Sequence, residues 1–106
     1  MENEIEEKIR KVIKKFINRE VIITQISVVE SKFCLKNLKF EMNDGIISIE
    51  ENQNTYITVD IDDIEHIYFK ENVEKGLTLI FYIDNNTEVE IKTIDNKESL
   101  EKVKKE

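Results

Sequence analysis

Residues 39–60 read KFEMNDGIISIEENQNTYITVD. Phe40, Met42, Ile47, Ile49, Ile57 and Val59 recur at a period of two, and two groups of turn formers, Asp44-Gly45 and Asn52-Gln53-Asn54, punctuate them. With Asp44-Gly45 as a two-residue turn, Met42 faces Ile47 and Phe40 faces Ile49. Lys39 then faces Glu50 on the other side, a cross-strand charge pair. With Asn52–Asn54 as the loop, Ile49 meets Ile57 and Ile47 meets Val59. One apolar face therefore runs through both hairpins, and a slip of one residue in either would turn that face over. An antiparallel sheet with one buried side follows.

The same period extends outward from Glu20 to Ile94. It predicts about seven strands, near 21–29, 33–42, 46–51, 55–61, 64–70, 77–83 and 87–94. The first turn falls near Glu30-Ser31-Lys32. A three-residue loop at Asp84-Asn85-Asn86 sets Phe81 against Val89 and Leu79 against Ile91, and Asn tolerates the left-handed backbone such a loop needs. Glu71–Gly76 reads as a longer loop. Before the strands, Ile5, Ile9, Val12, Ile13, Phe16 and Ile17 form one apolar stripe at helical spacing, which predicts an amphipathic helix over 4–18. Its leading glutamates and trailing Lys8, Arg10, Lys11, Lys14 and Lys15 complement the helix dipole. After the strands, Asp95 with Glu98 makes a capping box, and Leu100 and Val103 a narrow apolar edge, for a short helix over 96–105. The expected fold class is α+β, mainly β: an antiparallel meander forming a bent sheet or partly open barrel between two helices. Residues 1–106 read as a single domain.

The chain has 106 residues, 40% hydrophobic and 37% charged, with no proline or tryptophan. That length supports a core without staples. Cys34 is the only cysteine, so no internal disulfide is expected. No run approaches the length of a membrane span, and the early glutamates Glu2, Glu4, Glu6 and Glu7 are the opposite of a secretory n-region. A soluble, cytoplasmic protein is expected. Net charge is −7. Between Lys39 and Lys70 there is no basic residue, yet Glu41, Asp44, Glu50, Glu51, Asp60, Asp62, Asp63 and Glu65 are all acidic. Nucleic acid and anionic membrane are poor partners for such a surface.

Strands in antiparallel succession closed by a C-terminal helix resemble the pleckstrin-homology and GRAM-like fold. Residues 57–67, ITVDIDDIEHI, look like that family's strand, polar corner and entry to the next strand. Leu77–Ile94 followed by 95–103 looks like its last hairpin and closing helix. The resemblance covers roughly residues 20–106 and is one of pattern. It implies a protein–protein interaction module. The basic residues that phosphoinositide-binding members present around the first strand pair are nearly absent, so lipid binding is not implied, and the N-terminal helix is extra. A helix followed by strands around Asn43-Asp44-Gly45 is also similar to an Sm-like small barrel. That fold has five strands, however, and its glycine-bearing second motif is missing here.

No catalytic constellation stands out, and no enzyme, cofactor or metal site is expected. Asp60, Asp62, Asp63 and Glu65 lack the alternate-acid-then-glycine spacing of a calcium loop. In strand geometry Asp60 and Asp62 share the outward face and Asp63 falls at a corner. His66 is the only histidine, which removes any multi-histidine centre. Cys34 with His66 has no local nucleophile signature, and Cys34 reads as a buried or half-buried small hydrophobe. Two isolated glycines make no phosphate loop.

Register yields a more specific set. If Phe69, Leu79, Phe81, Val89 and Ile91 face inward, His66, Tyr68, Ile80 and Tyr82 face outward, and Tyr56 lies on the outward parity of its own strand. Tyrosine suits interfaces because it joins a large apolar body to a polar tip. The favoured expectation is that Ile9, Val12, Phe16 and Ile17 of the first helix cover this surface. A homo-oligomer through that helix is the alternative.

The candidate protein-contact residues are Tyr56, Asp60, Asp62, Asp63, Glu65, His66, Tyr68 and Tyr82. The expected function is a small non-enzymatic interaction domain with a protein partner and no direct nucleic-acid or membrane binding. A second expectation is an acidic decoy, with Glu50, Asp60 and Asp62 as a row imitating phosphates. Phage- and plasmid-encoded inhibitors, anti-CRISPR proteins among them, are similar in broad character.

Overall fold

The computed structural model describes residues 4–72, 76–84 and 86–94. Helix α1 spans Glu4–Ile13 and tightens into a 3-10 turn at Lys14–Phe16. Eight strands follow: β1 (Val21–Ile26), β2 (Glu30–Leu35), β3 (Lys39–Asn43), β4 (Ile46–Glu51), β5 (Asn54–Asp60), β6 (His66–Asn72), β7 (Gly76–Asp84) and β8 (Thr87–Thr93). They form two antiparallel sheets, one in the order β2-β1-β8-β7-β6 and one in the order β3-β4-β5. The mainly β class expected from the sequence holds, as an open pair of sheets. The helix expected over 96–105 lies outside the described residues.

The hairpin registers are those expected. Met42 faces Ile47, Phe40 faces Ile49 and Lys39 faces Glu50. Asp44 (φ 53°) and Gly45 (φ 77°) both take positive φ, the conformation of a primed two-residue hairpin turn. The next loop is shorter than expected. Asn52 (φ 53°) and Gln53 (φ 69°) make another such turn, and Asn54 joins β5 opposite Glu51. Ile49 still meets Ile57 because a bulge leaves Tyr56 as the extra residue between Thr55 and Ile57. The β7–β8 hairpin makes the same exchange. Asp84 pairs with Thr87, Ile83 is extra, and Phe81 still meets Val89.

Four other expectations are corrected. The single strand over 33–42 is broken at Lys36–Leu38, and its halves belong to different sheets. One carboxylate oxygen of Glu51 accepts from both Lys36 N and Asn37 N, each at 2.8 Å, and Leu38 exchanges backbone bonds with Asn18 and Arg19. Those bonds satisfy the corner and free it from the ladder. The first turn is Ser27–Val29, while Glu30–Lys32 belong to β2. β6 runs on to Asn72 and β7 starts at Gly76, which pair with each other, so Glu71, Asn72 and Gly76 of the expected long loop belong to strands. The succession is not a pure meander either, because β8 pairs with β1 and β5 does not pair with β6.

One core joins the helix and both sheets. Ile9, Ile13 and Phe16 are 0% exposed, together with Leu38, Ile47 and Ile49 from the corner and small sheet and Leu79, Phe81 and Ile91 from the large one. Phe16 meets Phe69 edge-on, at 6.3 Å between centroids. Lys15 Nζ lies 3.2 Å from Glu71 Oε1 and over the Phe69 ring. Phe69 and Glu71 share the parity of buried Ile67, so α1 and its 3-10 turn dock on the inner side of the large sheet. Most of the apolar stripe is thereby buried within the chain, while Ile17 stays 36% exposed.

The far end of the β7–β8 hairpin is closed by a side chain. The buried Thr93 hydroxyl accepts from Leu77 N at 2.9 Å. Gly76 sits against it at φ +91°, and a Cβ there would collide with Thr93 Oγ1. Gly76→Ala should cost more than about 1 kcal/mol of stability, from strain and collision together. Glu51→Ala should cost about 1–2 kcal/mol, and Glu51→Gln less because it keeps an acceptor oxygen. Urea unfolding followed by circular dichroism checks both.

Candidate functional site

Alternation sends every second residue of the large sheet to its outer side. Register arranges them in rows across β6, β7, β8, β1 and β2. One row is His66, Tyr82, Glu88, Ile26 and Glu30. The next is Tyr68, Ile80, Glu90, Thr24 and Lys32, and the third is Lys70, Thr78, Lys92, Ile22 and Cys34. The expected set His66, Tyr68, Ile80 and Tyr82 is therefore one contiguous patch on β6 and β7. The His66 and Tyr82 rings lie 5.7 Å apart at 33°. Tyr68 is 42% exposed, while Ile80 and Tyr82 are half-buried.

The first helix does not cover this patch, contrary to expectation. It lies on the opposite side of the sheet, because Phe16 and Lys15 reach the inward-facing Phe69 and Glu71 of β6.

Tyr56 does not belong to the patch. Its place as the bulge residue of β5 turns it toward the other sheet, where its ring lies 6.2 Å from that of Phe33 in β2. There it bridges the sheets and keeps 39% of its surface in solvent.

The acidic corner is a strap between the sheets. Asp60 Oδ1 accepts from Asp62 N at 3.0 Å and so caps a 3-10 turn over Ile61–Asp63. Strand geometry ends at Asp60, so the outward face expected for Asp60 and Asp62 does not exist. Ile61 and Ile64 are buried anchors, Ile61 N bonds Gly45 O, and Glu65 N bonds Tyr82 O. Asp62, Asp63 and Glu65 point to solvent, and no metal-competent group of three forms among the described residues. Glu50 lies at the opposite end of its hairpin, since Asp60 pairs with Ile46, so Glu50, Asp60 and Asp62 form no row. Lys39 and Glu50 are register neighbours but no ion pair joins them; Arg10–Glu6, Lys15–Glu71 and Lys32–Glu30 are the ion pairs among the described residues.

Cys34 is exposed on β2, not buried. It and His66 sit on the two edge strands of the sheet, which are roughly 19 Å apart at about 4.8 Å per strand, and in different rows, so the two side chains are further apart still. No nucleophile–base pair forms.

The sequence reading missed the β1–β2 tip. Val28 is 96% and Val29 70% exposed, next to Ile26 at 39%. β-branched residues favour strands, and Val28-Val29 extends the β1 pattern without a break, so the turn is hidden. The signal available was negative: this reversal has no Gly, Asn, Asp or Pro.

The chain matches no protein-family model, no curated protein and no solved structure. No helix among the described residues is long and apolar enough to cross a membrane.

Asp60→Ala should destabilise by about 1 kcal/mol through loss of the cap. Asp62→Asn and Asp63→Asn should stay within about 0.5 kcal/mol, as exposed positions do. Thermal melts of the three variants check the distinction.

Proposed function

We propose that this chain is a non-enzymatic protein–protein interaction domain of the PH/GRAM-like kind, which docks a protein partner on the outer face of its large sheet. The observation carrying this reading is that the helix is spent inside. Tyr68, His66 beside half-buried Tyr82, and the Val28-Val29 tip are left in solvent. Large amphipathic rings on a rigid sheet lose little entropy when they are covered. Two valines at a reversal break the local rule for turns without any gain in packing, and such breaks concentrate where function demands them. Neither nucleic acid nor membrane is expected as partner, and the unpaired thiol of Cys34 fits a reducing, cytoplasmic setting. The acidic-decoy reading has less support, because Asp60 is engaged in capping and Glu50 lies apart from the corner.

Photo-crosslinking in the native cell tests the proposal. A crosslinker placed at Tyr68 or Val28 should trap the same discrete protein, and one at the exposed Thr58 of β5 should not. Tyr82→Glu should abolish the Tyr68 adduct while leaving the melting temperature within a few degrees. Absence of any adduct, or equal labelling from Thr58, would refute it.

A further inference from the structure

We infer that the Lys70–Lys92 end of the outer face is an oxyanion site, suited to a phosphate dianion or phosphate monoester. Lys70, Thr78 and Lys92 occupy one register row on β6, β7 and β8, so the lysines flank the threonine with Cα atoms about 10 Å apart. Flexible four-carbon stems let both ammonium groups close on an ion above the Thr78 hydroxyl. These three residues line a shallow open cavity with Asn72 and Gly76.

Neither lysine has a carboxylate within 4.0 Å among the described residues. Glu71, next to Lys70 in sequence, points to the other side of the sheet and is held by Lys15. Glu90, two residues from Lys92 on the same face, is the nearest acid along β8, and its row neighbours are Ile80 and Thr24. The row of Lys70 itself carries no acid: beyond Lys92 come Ile22 and Cys34.

The floor is rigid. The Thr93 hydroxyl ties down Leu77 N beside Gly76, which itself lines the cavity. Two cations and a hydroxyl in an open setting match a compact dianion better than a single carboxylate. Such a site binds on the order of millimolar and weakens with salt. This inference does not depend on the protein-partner reading and can fail separately.

Nitrogen–proton correlation spectra of the full chain test it with three probes: sodium phosphate, glycerol 3-phosphate and sodium acetate, each against sodium chloride of equal ionic strength. Phosphate should give saturable shifts at the amides of Lys70, Gly76, Thr78 and Lys92. Acetate should bind at least about fivefold more weakly. Lys70→Glu with Lys92→Glu should raise the phosphate dissociation constant at least about tenfold, and the milder Lys70→Gln with Lys92→Gln should do so in part if charge reversal disturbs the fold. Glycerol 3-phosphate binding as tightly as phosphate assigns the site to a monoester, and much weaker binding assigns it to the free ion. Shifts that never saturate, that appear equally at Lys8, Lys11 and Lys14, or that survive the double substitutions would overturn the inference.

Discussion

The structure depends on where Ile9, Ile13 and Phe16 go. All three are fully buried between the inner faces of two sheets that do not close on each other. Fully burying such side chains contributes about 1.5–3 kcal/mol each, a large part of a small domain's margin. The helix and its 3-10 turn join the core shared by the five- and three-stranded sheets, with Phe16 against Phe69 of β6. Because the helix is committed there, it leaves the outer face of the large sheet uncovered, with Tyr68 and Ile26 exposed and Thr24 buried among its neighbours. Core closure and surface availability are therefore one fact seen from two sides.

The sheet keeps its inner face by trading loop length against bulges. At Asn52-Gln53 and again before Thr87 the turn is one residue shorter than the apolar pattern alone implies, and one extra residue, Tyr56 or Ile83, restores the pairing. The apolar face is the stronger constraint, since a slipped register would expose every Ile and Val in the hairpin. A bulge disturbs only one position. At Tyr56 that disturbance has a use, because it swings the ring from the solvent side onto Phe33 across the sheet junction.

Much of this was legible in the chain, and the rest fails for identifiable reasons. Hairpin partners such as Met42–Ile47 and Phe81–Val89 follow from period two and turn chemistry, both local. The tyrosine–histidine patch follows from the same parity. The break at Lys36–Leu38 was not legible, because it is made by Glu51, some fifteen residues on. Cys34 was misplaced because an edge strand has one flank in solvent, and edge status depends on which strands pair. The side taken by the helix was invisible too, since an amphipathic stripe specifies that it is buried but not against which face.

The pairing of β1 with β8 has a consequence in time. Val21 lies beside Thr93, and β8 is the middle strand of the large sheet, so the frame has no centre until the last strand arrives. During synthesis the β1–β2 and β6–β7 ribbons must wait as separate hairpins, each marginal in water, while the small sheet is already complete. A sheet centred on so distant a pairing has the high contact order that slows folding in general. Tyr68 and Ile80 can already face each other in the β6–β7 ribbon, but the full row of Tyr68, Ile80, Glu90 and Thr24 exists only once β8 has joined β7 to β1.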